Sequence, residues 1–256
     1  MWLSRVVVNR EGGLKSLGPL LLPDDKSERA SAGHRMIWSL FPGMDYDRKE
    51  DRGRTNADRR PRDHLWREES RGCYIVLSRE KPSANSLLDV LEVKAFEPSL
   101  TAGNTLRFRL RANPTVAKRT GYGKDDRRRG KRADVIMDAI HSYERGTRAH
   151  PRSEQLGWGE DQDGHPLPLQ TPRHWLDRQG TGNGFVVVEA VALEYQTLLV
   201  PRRNGGQGNR DTARIGVVDL DGMIRLTDPA LFRGRLTSGF GSAKAFGCGL
   251  MLIRRA

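Results

Sequence analysis

The beginning of the chain changes from extended to helical spacing of its apolar residues. Residues 2–9 are rich in β-branched side chains and predict a strand. Asp25 and Glu28 have the spacing of a capping box, and apolar residues then recur at helical spacing over residues 30–41. Pro42 ends this pattern, so a strand followed by a helix is expected.

A polar stretch separates this helix from a second group of short elements. Residues 44–62 are almost all polar or charged and predict a solvated loop. Two strands are then expected at residues 63–68 and 73–79, followed by a short helix near 84–91 and a strand near 92–97. The predicted order of elements is βαββαβ.

The same order can be traced a second time in the rest of the chain. Its elements are a strand at 105–111, a helix at 133–145, strands at 185–201 and 213–226, a helix at 229–237 and a strand at 249–255. Extra segments at 112–132 and 146–183, rich in glycine, proline and charge, predict loops. We therefore expect an α+β chain with two domains, residues 1–100 and 101–256.

The net positive charge of the chain indicates what kind of molecule it binds. The 256 residues include 44 lysines and arginines against 32 aspartates and glutamates, a formal net charge of +12. Positive charges in such excess repel each other unless a negatively charged partner binds. This indicates a polyanionic partner, and nucleic acid is the first candidate. A contribution to solubility alone is the alternative.

A row of arginines follows one face of the strand predicted at 105–111. The apolar residues Leu106, Phe108 and Leu110 alternate with Arg107, Arg109 and Arg111. Alternation places the apolar side chains toward the core and the arginines together on the other face. Residues 107–132 contain eleven lysines or arginines and only two acidic residues. We interpret the row as part of a groove that follows a phosphate backbone, and a solvated strand face is the alternative.

A glycine-rich stretch lies between the last predicted helix and the last predicted strand. Residues 239–249 contain Gly239, Gly241, Gly247, Gly249 and Lys244, together with two phenylalanines. Glycines let a backbone approach a ligand closely and turn its N–H groups toward phosphate oxygens. The spacing matches neither a Walker loop nor a dinucleotide fingerprint, so no nucleotide cofactor is expected. A purely structural turn is the alternative.

The remaining candidate ligands form no metal or redox motif. The six histidines show no HxH or HxxxH spacing, and Cys73 and Cys248 show no CxxC spacing. We therefore expect no metal and no small-molecule cofactor. The sequence has no signal peptide and no membrane-spanning run, so a cytoplasmic protein without a membrane partner is expected.

One histidine differs from the others by its position. His34 lies on the first predicted helix, one turn before Trp38 and two turns before Phe41. An imidazole exchanges protons near neutral pH and can act as a general acid or base. Most histidines on helices are structural, so position alone does not make His34 catalytic.

Four segments, in the same order along the chain, resemble the CasE family of CRISPR-associated proteins. They are residues 1–6 (MWLSRV), 34–42 (HRMIWSLFP), 106–114 (LRFRLRANP) and the glycine-rich stretch at 239–249. The loops at 43–62 and 146–183 have no counterpart that we can match. The resemblance implies tandem ferredoxin-like (RRM-like) βαββαβ domains.

The resemblance to CasE also implies an activity and partners. Members of that family are endoribonucleases that cut CRISPR repeat RNA at its stem-loop. Because no metal ligands are expected in this chain, we expect the RNA 2′-hydroxyl to attack the adjacent phosphorus without a metal, leaving a 5′-hydroxyl and a 2′,3′-cyclic phosphate or 3′-phosphate. They stay bound to the mature RNA with the other Cascade subunits. The family histidine falls on His34, and Ser31 stands where a tyrosine is common, which makes Ser31 the candidate second group. A non-catalytic RNA-binding subunit is the alternative.

A basic β-hairpin is expected between the two long strands of the second copy. Arg202, Arg203 and Arg210 flank the turn sequence NGGQGN at residues 204–209. Double-stranded RNA is recognised mainly by its shape and backbone, so we expect this hairpin to reach the RNA stem. An ordinary exposed hairpin tip is the alternative.

Overall fold

The first half of the chain forms one antiparallel sheet covered by a helix. A computed structural model describes residues 1–42, 64–118, 131–142, 172–201 and 212–256. The first-half elements are β1 (Trp2–Val8), a 3-10 helix (Gly12–Leu17), α1 (Gly18–Leu21), α2 (Lys26–Trp38), β2 (His64–Ser70), β3 (Cys73–Ser78) and β4 (Leu88–Ala95). The sheet order is β2-β3-β1-β4. The loop predicted at 44–62 lies outside the described residues.

Helix α2 begins where the capping pattern predicts. The side chain of Asp25 accepts hydrogen bonds from the backbone N–H groups of Ser27 and Glu28, at 2.9 and 2.8 Å. Met36 and Ile37 on its inner face are buried in a core with Val6 of the central strand β1. The predicted strand-helix start of the chain is confirmed.

The short helix predicted near residues 84–91 is wrong. The Asn85 side chain instead accepts hydrogen bonds from the backbone N–H groups of Leu87 and Leu88, at 2.9 and 3.0 Å, and it donates to Ser39. This local turn satisfies the donors that a helix would use, and Leu88 starts β4 directly.

The second half repeats the sheet of the first with additions. Its elements are β5 (Thr105–Ala112), β6 (Thr115–Lys118), β7 (Lys131–Asp134), α3 (Val135–Ser142), α4 (Pro172–Thr181), β8 (Phe185–Pro201), β9 (Thr212–Leu226), α5 (Pro229–Ser238), a 3-10 helix (Lys244–Phe246) and β10 (Met251–Arg255). The main sheet has the order β10-β5-β9-β8. Numbered within each half, both sheets therefore follow the order 4-1-3-2. The predicted α+β fold with tandem ferredoxin-like units is confirmed.

Two segments predicted as loops contain regular structure. Within 112–132, β6 pairs with β7 in a separate two-stranded ladder. Within 146–183, α4 covers the main sheet because Trp175 and Leu176 are buried in its core. The sequence did not predict β6, β7 or α4, because these segments are rich in glycine, proline and charged residues and contain few apolar residues.

The two halves meet through the open faces of their sheets. Leu65 and Leu77 of the first sheet form a buried cluster with Leu250 at the start of the last strand. Leu3 and Leu252 flank this cluster. The contact joins β10 to the first sheet and leaves a cleft between the two faces. No helix among the described residues is long and apolar enough to cross a membrane.

Candidate nucleic-acid interface

Ser31 and His34 lie one turn apart on α2, and both are partly buried. The helix is fixed on both sides, because Ala32 and Met36 are buried while its other face meets the second half of the chain. The structure therefore brings the two sequence-predicted candidates to one place. Residues that far apart on a helix can contact one bound group together.

Aromatic side chains surround His34. Its ring lies 6.3 Å from the ring of Trp38 in an edge arrangement and 6.4 Å from the ring of Phe246. Trp38 in turn lies 4.8 Å from His64, which stacks on Phe41 at 5.2 Å. Phe246 belongs to the glycine-rich stretch, so helix α2 and that stretch meet at His34.

The side chain of Trp66 lies between Gly33 of α2 and Gly247 of the glycine-rich stretch. It is 3% exposed, and its ring touches a glycine on each side. A Cβ atom at Gly33 would lie 2.8 Å from Cη2 of Trp66, and one at Gly247 would lie 3.1 Å from Cζ3. Only glycine fits both positions without movement. Sequence reasoning missed this role, for which the adjacency of Gly33 and His34 was the one available signal.

The glycine-rich stretch folds back on the second sheet. Its left-handed positions are Gly239, Gly241, Ala243, Gly247 and Gly249. The Gly249 N–H donates to Arg111 O at 2.7 Å, and the Phe240 N–H donates to Gly249 O at 2.9 Å. The Lys244 amino group donates to the carbonyl of Ser238. These bonds give several of the glycines a structural role, and their contact with phosphate stays a prediction.

A buried polar residue that sequence reasoning did not single out holds this stretch in place. Asn113, 6% exposed, donates to Gly216 O at 2.6 Å and accepts from the Ser242 hydroxyl at 2.5 Å. Ser242 also lies 3.2 Å from the Thr115 hydroxyl. Asn113 therefore links the end of β5, strand β9 and the glycine-rich stretch.

The predicted arginine row divides into two parts. Arg109 lies 3.5 Å from Asp221 and 3.8 Å from Glu69, and Arg111 lies 3.4 Å from Asp219. Arg107 is exposed and forms no ion pair with the described residues. Two of the three positive charges are thus balanced by carboxylates, and no described carboxylate balances the third.

Arg67 joins the two halves beneath this row. Its side chain, 9% exposed, lies 2.6 Å from Glu69 and 3.9 Å from Asp219 across the cleft. Burial lowers the pKa of Arg67, and the two carboxylates oppose that shift. The cleft above it has a volume of about 360 Å³ and is lined by both charged and apolar side chains. The ion pair of Arg67 with Asp219 connects the first sheet to the second.

The long hairpin β8–β9 is attached to α2. The Leu199 N–H donates to the Ser27 hydroxyl at 2.9 Å, and Lys26 pairs with Glu194 at 2.6 Å. Ala30 packs in a cluster with Leu198, Val200, Val217, Cys248 and Phe246. The hairpin, α2 and the glycine-rich stretch therefore form one unit. Arg202, Arg203 and Arg210, predicted to lie in this hairpin, are outside the described residues.

Two further buried polar groups lie near Gly216. Burial raises the pKa of Asp134, although two backbone N–H groups oppose the shift, and burial also raises the pKa of the Tyr195 phenol.

In the described part of the chain, no group of three or more histidine, cysteine, aspartate or glutamate side chains has the geometry of a metal site.

Comparisons with known proteins agree with this arrangement. A family model described as "CRISPR associated protein" matches residues 1–255. The Cascade subunit CasE of Escherichia coli K12 is 25% identical over 228 residues, which cover 86% of this chain and 89% of that protein. The CRISPR-associated endoribonuclease Cse3 of Thermus thermophilus is 28% identical over 208 residues, covering 74% and 78%.

Solved structures share the fold. The Escherichia coli protein Cas6e has a TM-score of 0.57 at 21% identity, with both chains covered completely. Cse3 bound to a 19-nucleotide RNA has a TM-score of 0.60 at 23% identity, covering 99% of this chain and 100% of that one. The family model spans almost the whole chain and the fold agrees, so this chain belongs to the family of CRISPR-associated proteins, within it to the CasE group that the four segments indicated.

Proposed function

We propose that this chain is an endoribonuclease that cuts CRISPR precursor RNA at the repeat stem-loop and stays bound to the mature RNA as a Cascade subunit. The observation that carries the proposal is the meeting of His34 with the glycine-rich stretch in a basic chain of this family. The names of the relatives, a Cascade subunit and an endoribonuclease, support it.

The chemistry needs only groups that the RNA and the chain supply. The RNA 2′-hydroxyl attacks the adjacent phosphorus, the bond from phosphorus to the 5′-oxygen breaks, and a 2′,3′-cyclic phosphate and a 5′-hydroxyl result. His34 moves a proton in this step, as the base toward the 2′-hydroxyl or as the acid toward the leaving oxygen. Ser31, one turn earlier on the same helix, orients the phosphate at the cut.

Aromatic packing prepares His34 for this role. Trp38 and Phe246 restrict its ring, so the imidazole does not have to be ordered when RNA binds. The glycine-rich stretch, held by Asn113, places the Phe246 side chain beside the same ring. Positioning of this kind is a large part of what an RNA-cutting site without a cofactor contributes.

Contacts outside the cut site hold the RNA. We assign contacts with the stem-loop to the hairpin residues Arg202, Arg203 and Arg210, with backbone contacts from Gly239, Gly241, Gly247 and Gly249 and a charge contact from Lys244. Arg107 is assigned to the phosphate backbone of the RNA beyond the stem. Arg109 and Arg111 contribute less, because carboxylates already balance them. The proposed domains are residues 1–100 and 101–256, and the proposed compartment is the cytoplasm.

A single substitution tests the assignment of His34. His34→Ala is expected to lower the single-turnover cutting rate of labelled repeat RNA by at least about a hundredfold, the usual worth of a general acid or base. Binding of an RNA with a 2′-deoxy group at the cut is expected to change by less than threefold. His174→Ala on α4, far along the chain from the site, is the matched control. Full activity of His34→Ala would overturn the assignment, and binding without cutting by the unaltered protein would favour the non-catalytic alternative.

A further inference from the structure

The open face of the second sheet carries three arginines on neighbouring strands. Arg107 of β5 stands opposite Arg254 of β10 and opposite Met223 of β9. Arg225 follows Met223 by two residues, so it projects to the same face. All three arginine side chains are exposed. The strand register therefore gathers three positive charges within two strand spacings, about 10 Å.

This arrangement costs stability when the face is empty. Like charges directly opposite each other on neighbouring strands repel, and Arg107 and Arg254 form such a pair. Of the acidic residues on the same face, Asp221 pairs with Arg109, and Glu189, opposite Met223, forms no ion pair with the three arginines. Among the described residues, none forms an ion pair with Arg107, Arg225 or Arg254. A bound polyanion would remove the repulsion.

The three arginines lie apart from the His34 site along the strands. Val217, which packs with helix α2, neighbours Val218, and Val218 pairs with Ala112. Arg107 precedes Ala112 by five residues, which corresponds to about 17 Å of strand. A ligand on the three arginines can therefore be continuous with one at His34 only if it is an extended polymer.

The side chains around the arginines indicate how such a polymer would be held. On the same face, Val186 lies opposite Arg225, and Met223 lies opposite Arg107. No aromatic residue occupies this face in the described parts of β5, β9 and β10, so bases have no ring to stack on. Recognition would depend on phosphates and would not depend on sequence. A guanidinium binds two phosphate oxygens at once, which suits this purpose.

We propose that Arg107, Arg225 and Arg254 form a second RNA-binding surface, which holds the single strand that flanks the repeat stem-loop. This inference rests on the proposed function, because it places that strand beyond the stem cut at His34. It extends the RNA contacts to Arg225 and Arg254, which the sequence pattern did not single out. Binding at this surface is expected to be mainly ionic, so its affinity should fall steeply as the salt concentration rises.

Binding measurements on two RNAs test the proposal. The first RNA is the repeat stem-loop alone, and the second adds single-stranded flanks of about ten nucleotides; both carry a 2′-deoxy group at the cut. The variant replaces Arg107, Arg225 and Arg254 with glutamine. A control variant replaces the exposed Arg10, Arg178 and Arg233 in the same way, so the net charge changes equally.

The proposal predicts that the variant loses at least tenfold in affinity for the flanked RNA and less than threefold for the stem-loop alone. The slope of log affinity against log salt for the flanked RNA should fall by about 2, because three single-strand phosphate contacts at about 0.7 each are lost. The control should change both affinities by less than threefold. Equal losses for the two RNAs, or none, would overturn the proposal.

The result is separate from the test of the proposed function. Cutting of unmodified stem-loop by the unaltered protein decides whether the chain is an endoribonuclease, and it does not involve the flanks. The binding assay uses RNA that cannot be cut, so it decides on the second surface alone. The single change Arg225→Gln, at an exposed strand position, gives a second readout with an expected slope decrease of about 0.7.

Discussion

Gly33→Ala tests the contact that sets the spacing between α2 and the glycine-rich stretch. Gly33 lies next to His34, and an added Cβ would be 2.8 Å from Cη2 and 3.2 Å from Cζ3 of Trp66. The Trp66 ring has little room to retreat, because Gly247 lies against it and a Cβ there would be 3.1 Å away. The substitution is therefore expected to push α2 and its imidazole away from the Trp66 ring.

The magnitude follows from two opposing effects. Alanine is favoured over glycine inside a helix by about 1 kcal/mol. Overpacking a core site costs about 1–3 kcal/mol. Gly234→Ala on α5 provides the matched control, because no atom lies within 4 Å of its added Cβ and only the helix gain applies. Gly33→Ala is therefore expected to unfold at a free energy about 1–3 kcal/mol lower than Gly234→Ala.

Thermal unfolding and single-turnover cutting measure the two consequences. Each 1 kcal/mol shifts the unfolding midpoint of a chain this size by about 2–4 °C. Gly33→Ala should cut repeat RNA at least tenfold more slowly, since a small displacement of a catalytic group has a large effect on rate. Gly234→Ala should cut at the unaltered rate. Equal stability and equal rates for the two variants would show that Trp66 does not set the position of α2.

Two further changes test the buried polar groups. Asn113→Ala removes the amide that donates to Gly216 O and the oxygen that accepts from the Ser242 hydroxyl, so urea unfolding should show a loss of about 2–4 kcal/mol and cutting should slow. Unchanged values of both would contradict the role of Asn113. Burial raises the pKa of Asp134 above its value in the unfolded chain, so the folded protein holds this proton to a higher pH and loses stability as the pH rises between the two pKa values. Asp134→Asn keeps the helix-capping oxygen and removes the buried charge, so its urea midpoint should exceed that of the unaltered protein at pH 8 and approach it near pH 4. A difference between the two midpoints that does not change with pH would contradict this explanation.

Local patterns predicted most of the fold. The alternation that ends at Leu110 and the capping pair at Asp25 each depend on neighbours in sequence, and both elements formed as expected. The helix predicted near 84–91 failed for an equally local reason, because Asn85 closes a turn that the apolar pattern does not report. The helix α4 was missed because its buried face includes only a few apolar residues.

The site was less predictable, because its contacts join distant parts of the chain. Nothing near Arg109 in sequence indicates that Glu69 of the first half balances its charge. The positions of Gly33 and Gly247 on one Trp66 ring likewise require the folded chain. Residue type and family resemblance named His34, whereas its surroundings follow only from the packing of the two halves.

The most direct test of the account uses the unaltered protein and one pair of RNAs in the presence of EDTA. We expect a single cut in repeat RNA, with a 5′-hydroxyl and a 2′,3′-cyclic phosphate at the new ends, and no cut when the 2′-hydroxyl at that position is replaced by hydrogen. Cutting of the 2′-deoxy RNA, or cutting that requires added magnesium, would contradict it.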